Sequence, residues 1–136
     1  MQLTVESAHG RVPVDILAIH GPLDASNFET VISKVRELYQ NGTRYLLLDL
    51  SDVPFMGSSG VVAIHSAAML MRNQEPPNPE HGWQALHALG TEPEQKTEQF
   101  VKLFGPQPKV SRTLQMTGID EFLEIHTDRE AALASF

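Results

Sequence analysis

The feature that most constrains the fold is an apolar run that passes into a turn and then into a helical pattern. Residues 44–50, RYLLLDL, form the short, nearly continuous apolar run that is typical of a strand covered on both faces. Residues 54–64, PFMGSSGVVAI, follow with two glycines, two hydroxyls and then apolar residues at helical spacing. Because a buried strand that leads into a helix is typical of a parallel sheet with helical cover, the sequence indicates an α/β fold.

The remaining apolar patterns continue this alternation of strands and helices. Strands are predicted at about 3–5, 12–16, 44–50, 100–105 and 122–126. Helices are predicted at about 28–39, 61–72, 110–116 and 131–133. Only a turn at His9-Gly10 separates the first two strands, so we expect a hairpin there. The sequence therefore predicts an α/β sandwich with a mostly parallel sheet of about five strands and about four helices.

Local signals predict details of these helices. Residues 26–29 and 127–130 both have the form Ser/Thr-x-x-Glu, a capping box in which the hydroxyl accepts a hydrogen bond from the third helical N–H. We therefore expect Ser26 and Thr127 to be N-caps. In the second helix the spacing predicts one buried face, formed by Val61, Ile64, Ala68 and Met71.

One segment does not fit the alternation of strands and helices. The length of 136 residues is typical of a single domain, which we expect to span 1–136. Residues 73–99 contain four prolines and five glutamates, and a helix cannot run through the prolines. Only residues 83–89 have the pattern of a helical turn or two. We therefore interpret about 73–99 as a Pro/Glu-rich insertion in the single domain.

Composition excludes several kinds of partner. The net charge is -7 and the ten basic residues are scattered, so direct binding of nucleic acid is not expected. No apolar stretch is long enough to cross a bilayer, and residues 1–8 lack the pattern of a signal peptide, so no membrane association is expected. The absence of cysteine fits a cytoplasmic location. The sequence leaves the oligomeric state open.

The residues that bind metals or nucleotides in other proteins do not form a recognisable motif here. The six histidines show no metal-binding spacing, and His81 and His87 are better explained as solvated side chains. Asp49 and Asp52 could hold a metal ion, but we expect the first to be a hydrogen-bonded acid at a strand end and the second a turn residue. No glycine-rich nucleotide motif occurs. The sequence therefore predicts neither a metal site nor a cofactor.

The serines of the turn raise the question of a hydrolase. A nucleophile elbow requires Gly-x-Ser-x-Gly, and with Ser59 at its centre the last glycine would have to stand at Val61. The pattern therefore fails, and we expect no enzymatic activity. A serine at the start of a helix has two other interpretations: an N-cap, or an exposed hydroxyl that a kinase phosphorylates.

The chain resembles STAS domains, the fold shared by bacterial anti-sigma factor antagonists and the cytoplasmic tails of sulphate transporters. The resemblance spans nearly the whole chain, through ILAIHGPLDASNFETV (16–31), YLLLDLSDVPFMGSSGVVAI (45–64) and VSRTLQMTGIDEFLEIHTDREAALASF (110–136). Its most specific part is the leucine-rich strand followed by Asp-Leu-Ser-x-Val-x-Phe-Met-x-Ser-Ser-Gly.

The resemblance implies a switch protein. Unphosphorylated antagonists of this family bind a serine kinase that is also an anti-sigma factor, which frees the sigma factor for transcription. The kinase then phosphorylates a serine in the turn before the second helix, and a phosphatase removes the phosphate. By resemblance that serine is Ser58, with Ser59 as the second choice. The implied partner-binding residues are Leu23, Asp24, Ser26, Met56, Gly57, Ser58, Ser59 and Gly60.

The chain departs from the family pattern in two places. The family usually has Asp immediately before the phosphorylated serine, where this chain has Gly57. The connection that contains 73–99 is commonly short in the family. Both departures favour an alternative function, a STAS scaffold or small-ligand-binding module that does not depend on phosphorylation.

Overall fold

The computed structural model describes residues 2–74, 99–121 and 123–136. The predicted insertion lies outside these ranges except at its two ends. His81, His87 and the helical pattern at 83–89 also lie outside these ranges. The structure therefore does not test the predictions for these residues or for the insertion.

Within these ranges the chain forms five strands and four helices, as predicted. The strands are β1 (Gln2–His9), β2 (Pro13–His20), β3 (Leu46–Asp49), β4 (Val101–Phe104) and β5 (Ile125–His126). The helices are α1 (Phe28–Gln40), α2 (Ser58–Met71), α3 (Pro108–Thr117) and α4 (Arg129–Ala134), with a 3-10 turn at Ile119–Glu121. In these ranges no helix is both long and apolar enough to cross a membrane.

The sheet has the order β1-β2-β3-β4-β5. β1 and β2 pair antiparallel, which confirms the predicted hairpin, and the other neighbours pair in parallel. The pairing places Leu48 between Leu17 of β2 and Leu103 of β4. Because β2, β3 and β4 run in the same direction, the loops that follow them leave from one edge of the sheet.

The core confirms that β3 is covered on both faces. Its three leucines are all fully buried. Leu46 and Leu48 belong to the larger core, which also contains the buried apolar residues of α1 and α2. Leu47 points to the other face and packs in a smaller cluster that includes Ala132 and Leu133 of α4. Successive side chains of a strand alternate between faces, so this division follows directly from the apolar run.

The four residues predicted to form one face of α2, Val61, Ile64, Ala68 and Met71, are all buried, but burial extends beyond that face. Every residue from 60 to 68 is buried, including the polar His65 and Ser66. α2 is in contact with α1, α3 and β4. A helix that packs against neighbours on several sides is apolar around most of its circumference, and a simple amphipathic pattern does not describe it.

Both predicted capping boxes were wrong. Asn27, not Ser26, is the N-cap of α1, and no side chain caps this helix. The helix begins one residue later than the pattern requires, and the hydroxyl of Ser26 donates to the carboxylate of Asp24 at 2.6 Å. At α4 the N-cap is Asp128, whose carboxylate accepts from the N–H of Ala131.

His65, inside α2, should make stability depend on pH. Burial, and to a smaller extent the charge of Arg72, lowers the pKa of His65 from 6.5 to about 4. Between these values the unfolded chain binds a proton on this side chain and the folded protein does not. Stability should therefore fall with falling pH, and we expect a loss of about 2 kcal/mol in the free energy of unfolding between pH 7 and pH 5.

Urea unfolding at a series of pH values measures this dependence. His65→Gln should flatten it over this range, and His9→Gln, at an exposed position of β1, is the control for the substitution itself. An equal slope in wild type and His65→Gln would show that another group is responsible.

Candidate functional site

Two loops at the carboxyl edge of the sheet are joined to each other. The N–H of Gly21 donates to the carbonyl of Asp52 at 3.0 Å. Further along, Leu23 donates its N–H to the carbonyl of Phe55 at 2.9 Å and accepts the N–H of Gly57 at 3.0 Å. Leu23 and Met56 also form an isolated parallel bridge. The pairing of β2 with β3 therefore resumes beyond the ends of the two strands, and we call residues 21–27 and 51–57 the loop pair.

Three of the predicted partner-binding residues are buried at the base of the loop pair. Leu23 and Met56 are 0% and 2% exposed, and Gly60 is buried in the first turn of α2. A Cβ added at Gly60 would lie 2.5 Å from Met56 Cγ and 3.2 Å from the carbonyl oxygen of Leu23. These three residues therefore hold the loops against the helix, and only their neighbours are accessible.

Ser58 is exposed and is the first residue of α2. Gly57, which is half-buried, is the N-cap, so the alternative interpretation of Ser58 as the cap is wrong. Ser59 is also half-buried. The side chain of Ser58 is thus accessible at the start of the helix, while the residues around it are anchored.

The start of α2 favours negative charge. Gly57 has no side chain to accept from the first N–H groups of the helix, and the first turn contains no acidic residue. The Gly60 N–H bonds to the carbonyl of Gly57 at 3.0 Å. The N–H groups at a helix start carry partial positive charge, which typically stabilises an anion by about 0.3–1 kcal/mol.

Asp24 and Ser26 form a compact structure on the other loop. The carboxylate of Asp24 accepts from the hydroxyl of Ser26 at 2.6 Å and from its N–H at 2.9 Å. Both hydrogen bonds lower the pKa of Asp24, and the bond from the hydroxyl of Ser26 has the larger effect. The side chain of Asn27 spans the same loop, accepting from the N–H of Asp24 and donating to the carbonyl of Pro22. The site therefore has a fixed, ionised carboxylate on the loop that adjoins Ser58.

A hydrogen-bonded chain of side chains that the sequence did not predict links β1 to the loop pair. Thr4 Oγ1 lies 2.9 Å from His20 Nε2, and His20 Nδ1 lies 2.7 Å from a carboxylate oxygen of Asp52. One tautomer satisfies both contacts, with Nδ1 donating to Asp52 and Nε2 accepting from Thr4. A signal was present, because His20 ends β2 and Asp52 closely follows the end of β3, its parallel neighbour.

The acids considered as metal ligands have other roles. Asp49, at the end of β3, accepts from the N–H and the hydroxyl of Ser51 at 2.9 and 2.6 Å, as expected for a hydrogen-bonded acid at a strand end. Asp52 is a turn residue that pairs with His20. Across the described ranges, no group of three or more His, Cys, Asp or Glu residues is placed to hold a metal ion.

α3 also contacts the loop pair, which the sequence did not predict. The hydroxyl of Thr113 donates to the carbonyl of Met56 at 3.4 Å. At the start of this helix the side-chain amide of Gln107 donates to the carbonyl of Ser51 at 3.0 Å. The turn before α2 is therefore in contact with α3 as well as with the loop after β2.

A methyl group at Gly60 should separate the loop pair from α2. Gly60→Ala places its Cβ against Met56 and the backbone of Leu23, so we expect a loss of about 1–3 kcal/mol in the free energy of unfolding, measured with urea. The matched control is Gly57→Ala, because the nearest atom to a Cβ there is Phe55 Cε1 at 3.9 Å. Equal stability of the two variants would contradict the close approach at Gly60.

Comparisons with known proteins agree with this architecture. The model of the family described as STAS domain matches residues 7–75, just over half of the chain. No match was found among curated protein sequences. An anti-sigma factor antagonist of Mycobacterium paratuberculosis has a similar structure, with a TM-score of 0.66 over 98% of this chain and 93% of that one, at 16% identity.

The anti-sigma factor antagonist SpoIIAA is also similar, in two solved forms. Its unphosphorylated form has a TM-score of 0.58 over 96% of this chain and 93% of that one, at 20% identity. The phosphorylated form, from Bacillus, has a TM-score of 0.52 over 96% of each chain, at 17% identity. At these identities the likeness concerns the fold. The family match itself includes the turn before α2, and the chain therefore belongs to the STAS domain family.

Proposed function

We propose that this protein is a regulator of the anti-sigma factor antagonist type. It binds a serine kinase that is also an anti-sigma factor, and phosphorylation of Ser58 weakens the complex. The observation that carries the proposal is the exposed position of Ser58 at the first residue of α2, above an anchored loop pair. The structurally similar proteins support it, since they include an antagonist solved in unphosphorylated and phosphorylated forms.

The exposed hydroxyl suits phosphoryl transfer from ATP. The bond between Ser58 Oγ and phosphorus forms while the bond between the γ-phosphorus and the leaving oxygen of ADP breaks. The hydroxyl proton passes to a base of the kinase or to water. This protein supplies the acceptor, and the kinase supplies the catalytic groups, so the protein itself acts as a binding partner and not as an enzyme.

The position of Ser58 lets the protein carry the phosphate without rearranging its core. Phosphorylation adds about -1.5 to -2 charges, and the uncapped start of α2 favours negative charge there. The partner meets a different surface, because the new charge lies at the start of α2, directly after the loop pair that carries the ionised Asp24. A surface that fits a neutral hydroxyl loses complementarity when that hydroxyl becomes a dianion.

The predicted partner-binding residues divide into two groups under this proposal. Asp24, Ser26, Gly57, Ser58 and Ser59 face the kinase. Leu23, Met56 and Gly60 are buried, and their packing fixes the conformation of the loops that carry this surface. A phosphatase that removes the phosphate resets the protein. The proposal includes a cytoplasmic location and a single STAS domain over 1–136, with an insertion at about 73–99.

Phosphate transfer tests the site directly. After incubation with the kinase and ATP, mass spectrometry should find one phosphate on wild type and on Ser59→Ala, and none on Ser58→Ala. Ser58→Asp should lower the affinity for the kinase at least about tenfold, because a charge at the centre of an interface is costly. The absence of phosphate on both serines would defeat the switch.

A phosphorylation-independent scaffold or ligand-binding module remains the second candidate, and Gly57 is the observation that favours it. Its backbone has the extended conformation of an N-cap, with φ of -85° and ψ of -179°, and a Cβ fits there. The packing around Gly57 therefore leaves room for the acidic side chain that the family usually has at this position. Affinity for partners that Ser58→Asp leaves unchanged would support the scaffold over the switch.

Gly57→Asp should restore the acid that the family usually has. We expect a gain of a few tenths of a kcal/mol in the free energy of unfolding, about the difference between Asp and Gly at an N-cap. If the kinase recognises an acidic side chain at position 57, the initial rate of phosphate transfer to Ser58 should rise severalfold. Gly57→Asn is the control, since it caps the helix without charge. Equal rates for Asp and Asn would assign the gain to capping alone.

A further inference from the structure

α3, which contacts the turn before α2 through Gln107 and Thr113, carries an exposed stripe of three residues. Lys109, Arg112 and Met116 are spaced i, i+3 and i+7, which places them on one side of a helix. All three are exposed, and Met116 is 79% exposed. Val110 and Leu114, on another side, are fully buried. We call Lys109, Arg112 and Met116 the α3 stripe.

Thr113, the neighbour of Arg112 in the chain, lies 3.4 Å from the turn before α2. This residue lies between the stripe and the buried side of the helix, and its hydroxyl contacts the carbonyl of Met56, two residues before Ser58. Phe55, in the same turn, is 54% exposed. Only three large apolar side chains are exposed in the ranges that the structure describes, and Phe55 and Met116 are two of them.

The charge of α3 differs from that of the whole protein. The helix contains two cations and no acidic residue, whereas the chain has a net charge of -7. Neither Lys109 nor Arg112 has a side-chain hydrogen bond or ion pair with another described residue. An acidic partner is repelled by most of this protein's surface and attracted by the stripe, which would orient its approach.

We propose that the α3 stripe and Phe55 extend the kinase-binding surface, and that an acidic segment of the kinase occupies them. Phe55 and Met116 enter apolar pockets of the kinase, and carboxylates around those pockets face Lys109 and Arg112. The inference rests on the proposed function and adds a reason for the switch. A phosphate on Ser58 has the same sign as the carboxylates seated beside it, so it repels the segment that the stripe attracts.

Binding of the purified kinase that phosphorylates Ser58 tests the proposal. We expect Met116→Glu to weaken the complex at least about tenfold, as for the loss of a central apolar anchor. Arg112→Glu should lower the association rate constant severalfold and reduce its dependence on salt. The controls Val5→Glu and Arg11→Glu make the same changes of charge at exposed positions of the β1–β2 hairpin, and should stay within about twofold of wild type.

The outcomes separate this inference from the proposed function. If Met116→Glu and Arg112→Glu bind like wild type while Ser58→Asp binds weakly, the stripe is not part of the interface and the proposed function stands. If Ser58→Asp and Met116→Glu both bind this kinase like wild type, both proposals fall. Met116→Ser provides a second variant, and circular dichroism with thermal unfolding verifies that each variant keeps the wild-type fold.

Discussion

The burial of β3 on both faces is the constraint on which the rest of the structure depends. Leu46 and Leu48 face one layer of helices and Leu47 faces the other, and all three are removed from water. A strand of this kind requires helical cover on each side, and its parallel neighbours require crossovers. The loops after β2, β3 and β4 consequently leave from one edge of the sheet, where the candidate site lies.

The candidate site combines an anchored base with an accessible tip. Leu23, Met56 and Gly60 pack so closely that a single added methyl group does not fit. Ser58, within the same turn, is exposed. A change of charge at Ser58 therefore alters what a partner meets without altering the packing beneath it. A modification at any of the three buried positions would instead disturb the core.

Much of the fold could be predicted because apolar periodicity reports burial. The alternation of strands and helices, the hairpin and the turn before α2 all followed from it. The capping boxes were wrong because both helices begin one residue later than the pattern requires, with Asn27 and Asp128 as their N-caps. Burial of α2 extends beyond the predicted face because a helix in contact with two other helices and the sheet has no solvent-facing side over most of its length.

The sequence by itself determined the α/β class, the place of the turn and the position of Ser58 at the start of a helix, because these depend on residues that are neighbours in the chain. Only the tertiary structure decided which predicted residues are accessible, and it alone joined Thr4, His20 and Asp52 and set α3 beside the turn. Those contacts join residues far apart in the chain, and their geometry depends on how strands and helices pack. The order of residue types along the chain does not specify the geometry of these contacts.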